Sequence, residues 1–153
     1  MDFKARLFIL CFVVLNYGWT QIYEFTTPLR FGTNINTSAD ESNAVFSAQG
    51  DMLYFVRTFD PKNTGGIYDQ DIWYSRQKSG EWTFPIALQA LNNKLNNAVV
   101  GQFNDPSDST QERLYLISAY VTERDFEKGI NIATRKRTDT TWSVKGKLPI
   151  PGL

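Results

Sequence analysis

The chain has 153 residues, 42% of them hydrophobic and 14% aromatic, with 16 basic and 16 acidic side chains and no histidine. That apolar content is enough to bury a core, and it excludes the low-hydrophobicity, high-charge class of disordered chains. Balanced charge supplies no long-range field to draw in nucleic acid or an anionic membrane surface, so neither is an expected partner.

The first twenty residues differ from the rest. Lys4 and Arg6 precede an unbroken apolar run, Leu7 to Leu15, and Asn16 to Thr20 return to turn-prone residues. The run is about half of the roughly twenty apolar residues that a membrane-spanning helix needs. The pattern is that of a secretory signal peptide, predicted to be residues 1–20 with cleavage before Gln21; the alternative is a buried first helix. Cys11 is the only cysteine and lies inside the run after Phe8-Ile9-Leu10, where a lipid-anchor cysteine would follow small residues. The mature chain, 21–153, therefore forms no disulfide. It carries 14 basic and 15 acidic residues. The expected location is exported, in the periplasm, at the outer membrane or secreted, with no spanning segment left after cleavage.

From Gln21 onward, short runs of Val, Ile, Tyr, Phe, Trp and Thr alternate with clusters of Asn, Asp, Gly, Ser and Pro, which reads as antiparallel strands and turns. Residues 43–47 are a predicted first strand, and Ala48-Gln49-Gly50-Asp51 a turn in which Gly50 is free to take a positive φ. Residues 52–57 are a second strand, apolar on both faces and so central. A loop from Asp60 to Tyr68 leads to a third, residues 71–76. After Ser79-Gly80, residues 82–88 make a fourth, which Pro85 pushes to a sheet edge because it has no N–H to donate.

The order then repeats. Residues 98–103 are followed by a predicted polar loop, Asn104 to Glu112, then a strand from 113 to 120. A charged loop, 121–128, leads to a strand over 129–134, and a turn at Asp139-Thr140 precedes a last strand at 142–144. Ile72 and Ile132 stand 60 residues apart, as do Trp82 and Trp142, while Asn43-Ala44-Val45 returns as Asn97-Ala98-Val99 after 54. Ile35-Asn36 and Leu91-Asn92 precede their own Asn-Ala-Val strands. Four strands per unit at this period predict an all-β fold of β-propeller-type blades, about two of them, an incomplete propeller after the signal peptide. Blade 1 spans about 29–88 and blade 2 about 91–148.

At Gly32 to Glu41, Phe46 to Phe55, Gln70 to Ser75 and Glu81-Trp82 the chain resembles the TolB-type, WD-repeat-like propellers of exported Bacteroidetes envelope proteins, which often carry an OmpA-like domain further along. The resemblance spans residues 29–148 and is closer in the first unit. Ser47-Ala48-Gln49-Gly50 keeps only the ends of the usual Ser-Pro-Asp-Gly turn, and the second unit has Asn104 to Glu112 in its place. It implies a propeller fold and an envelope address. Propellers close with about four to eight blades, so two predict a fragment, an assembly with further blades or copies, or a face-to-face sandwich. The abrupt Pro149 to Leu153 end favours the fragment.

Without histidine, and without cysteine after cleavage, triads and zinc-thiolate sites are excluded. No cofactor or metal is expected. Asp60, Asp69 and Asp71 could form a glycosidase carboxylate pair or a calcium site, but aspartates opening a blade strand more commonly hydrogen-bond turns. Trp73, Tyr74, Trp82 and Trp142 could line a glycan groove, although Ile72, Tyr74 and Trp82 suit blade-to-blade packing. Trp73 has the opposite parity. The basic cluster Arg135-Lys136-Arg137 reads as a solvated turn. Asp60, Asp69, Asp71 and Trp73 are thus the candidate binding residues of a non-catalytic binding or scaffolding module. Its expected partners are an envelope protein or glycan, recognised through blade loops, with further blades or self-association. The alternative is a fragment of a carboxylate-dependent glycoside hydrolase.

Overall fold

The computed structural model describes residues 26–117 and 130–148. The predicted signal peptide, the charged loop 121–128 and the chain's last five residues lie outside them. The described residues are all-β, in two antiparallel sheets that follow one another along the chain. In the first, β1 (Asp40–Phe46), β2 (Met52–Thr58), β3 (Asp71–Lys78) and β4 (Glu81–Trp82) lie in sequence order, and β5 (Ile86–Ala87) also pairs with β3. In the second, β6 (Ala98–Asp105), β7 (Asp108–Ile117), β8 (Ile130–Lys136) and β9 (Ser143–Lys147) repeat the same meander. This is the predicted incomplete, propeller-like arrangement.

β2 shows why the unit folds as it does. Its residues Met52 to Arg57 are all buried, because strand alternation sends successive side chains to opposite faces and both faces are covered. Met52 and Tyr54 enter the core between the sheets with Ile72, Leu88, Leu91, Val99, Leu114, Leu116, Ala133 and Trp142. Leu53 and Phe55 enter a second core with Ile35 and Trp73, flanked by Phe31, Trp82 and Ala87. The turn before β2 is closed by Gly50 at φ 73° and by the Ser47 hydroxyl, which accepts from Met52 N and donates to Asp51.

The approach segments repeat as structure. Ile35 and Asn36 N–H groups donate to Gly32 O at 3.0 and 3.1 Å, and Leu91 and Asn92 donate to Leu88 O at 2.9 and 3.2 Å. Each turn delivers one apolar side chain, Ile35 or Leu91, into the core ahead of its sheet.

Four expectations are corrected. The predicted polar loop Asn104 to Glu112 is a tight hairpin: β6 continues to Asp105, Pro106 and Ser107 turn, and β7 begins at Asp108. Asp105 Oδ1 accepts from Ser107 N at 2.9 Å and its hydroxyl at 2.7 Å. Asp followed by Pro is type I turn chemistry, while Asp108 to Glu112 are held in the ladder although polar. The predicted fourth strand, 82–88, breaks at Thr83-Phe84-Pro85 into β4 and β5, where proline withholds a ladder donor. Trp82 packs edge-on against Phe31 at 6.1 Å and not between the sheets, unlike Ile72 and Tyr74. Arg135 is no solvated turn residue. β8 alternation points it inward, where it is 9% exposed, bonded to Glu112 at 2.8 Å and 4.6 Å over the Trp142 ring.

Candidate functional site

The candidate residues sit on or beside the loop that joins β2 to β3. Asn63 closes it: its amide nitrogen donates to Arg57 O at 2.9 Å and Asp69 O at 2.8 Å, and its Oδ1 accepts from Trp73 Nε1 at 3.1 Å. One buried side chain thus pins both ends of the loop to the floor of the first sheet. Backbone turns Asn63 N to Asp60 O, Gly66 N to Asn63 O and Asp69 N to Gly66 O complete the frame.

The structure brings Asp60, Asp69, Asp71 and Trp73 together around this loop. Asp60 is half-buried, accepting from Lys62 N at 2.9 Å through one oxygen and from Arg57 at 3.3 Å through the other. Arg57 also pairs with Glu41 at 3.1 Å and lies 4.5 Å over the Trp73 ring. Trp73 is therefore buried, sandwiched by a guanidinium and tied to Asn63.

Asp69 and Asp71 are enclosed. Asp71 Oδ2 accepts from Thr64 N at 2.8 Å and Thr64 Oγ1 at 2.9 Å. Burial pushes its carboxyl pKa up, the Thr64 bonds oppose that, and the charges of Asp69 and Asp60 add to it. Asp69 Oδ1 accepts from Gln70 N at 2.9 Å, and its Oδ2 lies against Gly65, where a Cβ would collide with it. The remaining oxygens, Asp69 Oδ2 and Asp71 Oδ1, are buried without a hydrogen-bond partner. Asp71 is fully buried and Asp69 is 8% exposed. Among the described residues no group of three or more acidic, His or Cys side chains is arranged to hold a metal.

What the loop does present is aromatic. Phe59 and Tyr68 pack ring edge to ring face, centroids 6.0 Å apart and planes at 88°, and Ile67 beside them is exposed. Phe59 stands at φ 62°, a left-handed conformation that costs a bulky non-glycine residue about 1–2 kcal/mol. Neither aromatic residue was marked by strand patterning, since both fall where period-2 alternation stops. The available signal was two aromatics bracketing an Asp-Pro and Gly-Gly loop. Lys62, on the same loop, also lines a shallow cavity of about 250 Å³ with Trp73, Pro85, Ile86, Ala87 and Gln89.

A second exposed apolar region lies on the second sheet. Phe103 lies against Tyr115 at 5.1 Å, and Ile132, paired with Tyr115 across the strands, shares their face. Phe103 is 52% exposed and Ile117 is also exposed.

A scan against protein-family models and a search of curated proteins each return no match to this chain.

Proposed function

We propose that this chain is a non-catalytic binding or scaffolding module of an exported bacterial envelope protein, of the TolB-type propeller class that its repeat resembles. The observation that carries this reading is the outer face of the second sheet. In the first sheet Ile72 is 1% exposed beneath the second sheet. Its counterpart Ile132, 60 residues on, looks out from the second sheet beside Phe103 and Tyr115 and is only partly covered. The same strand position is thus buried in one repeat and open in the next. Stacked repeats bury such faces against a neighbour, so this face receives another sheet, from a further blade or a second copy.

Sizing with light scattering tests it on residues 21–153. The wild-type chain associates with rising concentration, and Phe103→Asp, which places a charge in the open face, stays monomeric with unchanged circular dichroism. A wild-type chain that is monomeric at every concentration overturns the second-copy reading and leaves a further blade as the cover of this face. The export part is tested separately: fractionation of cells expressing the whole chain should recover it outside the cytoplasm, beginning at Gln21.

A further inference from the structure

We infer that the Phe59–Tyr68 corner is a saccharide-binding platform. The inference rests on the binding-module reading above and names the class of ligand and the residues that take it.

Tyr68 is 80% exposed and Phe59 47%, yet the two rings are not loose. Phe59 follows the end of β2 directly and Tyr68 lies just ahead of β3, and Asn63 ties Arg57 and Asp69, close by each ring, to one amide. The perpendicular packing of the rings leaves the Tyr68 ring open to solvent. Phe59 stands in a left-handed backbone conformation and forms one wall of this corner. Two exposed rings on a pinned loop are a preorganised surface, so little ordering cost falls on the binding event.

Size and shape decide the ligand class. Aromatic side chains carry roughly 150–250 Å² each, so Phe59, Tyr68 and Ile67 together expose on the order of 300 Å². A stable protein partner needs about 800 Å² on each side. The corner is too small for that, and it is not a cavity, so it does not enclose a wholly apolar small molecule. A flat molecule with one apolar face and a polar rim gains from stacking on an open ring while its other side stays in water. A pyranose ring has that form. Nucleobases share the flat face, but single-stranded nucleic acid also needs a basic groove to track its backbone, and the chain's charges balance. The Tyr68 hydroxyl, on a side chain 80% exposed, supplies a polar group at the open ring.

The test is a nuclear magnetic resonance titration of the isotope-labelled chain with chitotriose and, separately, maltotriose. The expected result is saturable shifts of the Tyr68 and Phe59 signals with at least one of the two. Tyr68→Ala should weaken binding by between about twofold and tenfold, while Phe84→Ala, an exposed aromatic outside the corner, leaves it unchanged. Tyr68→Phe, which keeps the ring, retains most of it. Two results overturn the proposal: neither sugar perturbs Tyr68 or Phe59, or shifts centre on the Lys62–Gln89 cavity and persist in Tyr68→Ala. Neither result touches the assembly reading, which is decided by Phe103→Asp and sizing.

Discussion

Replacing Glu112 with glutamine tests what holds the two sheets together. Arg135 reaches from β8 into the space between them, donating Nε to Glu112 at 2.8 Å and Nη2 to Met52 Sδ, in the other sheet, at 3.3 Å. Their side chains are 6% and 10% exposed. Removing one member of such a pair leaves an uncompensated buried charge and costs about 3–5 kcal/mol. Part of that is offset here, because the guanidinium keeps the Trp142 face, worth about 0.5–2 kcal/mol, and a weak sulfur acceptor. Arg137, half-exposed and 4.0 Å from Glu112, adds little to the pair. The expected loss is therefore about 3 kcal/mol, a large share of the roughly 5–15 kcal/mol that a domain has. With a slope of roughly 2 kcal/mol/M in urea, the midpoint falls by about 1–2 M. The double variant Glu112→Leu with Arg135→Met, which removes both charges and keeps volume, should return to within about 1 kcal/mol of wild type. A Glu112→Gln midpoint indistinguishable from wild type, or a double variant as unstable as the single one, would mean that the pair does not hold the sheets together.

Further outcomes follow from the same structure. Asp105, held down to about pKa 2 by Ser107 and then by Arg113, contributes stability that is present above the ordinary value of 3.8 and is lost as pH falls from there toward 2; acid unfolding of Asp105→Asn should lack that loss. Asp71 has the opposite sign. Its carboxyl pKa is raised above 3.8, so stability falls as pH rises from 3.8 through the folded value, and the advantage of Asp71→Asn over wild type should grow from roughly pH 3 to 7. An advantage that shrinks over that range contradicts this account. Gly65→Ala, whose methyl meets the buried Asp69 carboxylate, should cost about 1–3 kcal/mol in urea unfolding; a neutral result means the loop gives way there. Ile72→Ala should cost about 2–5 kcal/mol and Ile132→Ala less than about half of that in the monomer, because only the first is covered on the face it presents. Equal losses would show that the outer face of the second sheet is covered.

Much of the fold was legible in local chemistry. Turn residues and apolar runs marked most of the strand positions, and the 60-residue spacing of Ile72 and Ile132 marked the two sheets as copies. Where reading by pattern failed, the cause was polar residues held in a ladder. Asp108 to Glu112 carry no strand pattern, yet Asp108 and Glu112 pair with β6 on one side, and Gln111 and Glu112 pair with β8 on the other. The candidate loop was legible as a cluster of aspartates before a tryptophan, but their roles were not. Whether a carboxylate faces solvent or Thr64 depends on how the loop folds over the sheet.

Strand periodicity and turn chemistry act over a few residues and need no partner, so the class of the fold and its repetition are written locally in the chain. What each side chain faces depends instead on elements distant in the chain. Arg135 became an inter-sheet ion pair because Glu112 and Trp142 converge on it from β7 and from just ahead of β9. Trp73 became a buried pivot because Asn63 and Arg57 close over it. Phe59 and Tyr68 became an exposed corner because one asparagine amide draws together two points twelve residues apart in the chain. Long-range contacts of this kind set burial, and burial separates a structural aspartate or tryptophan from one that can meet a ligand.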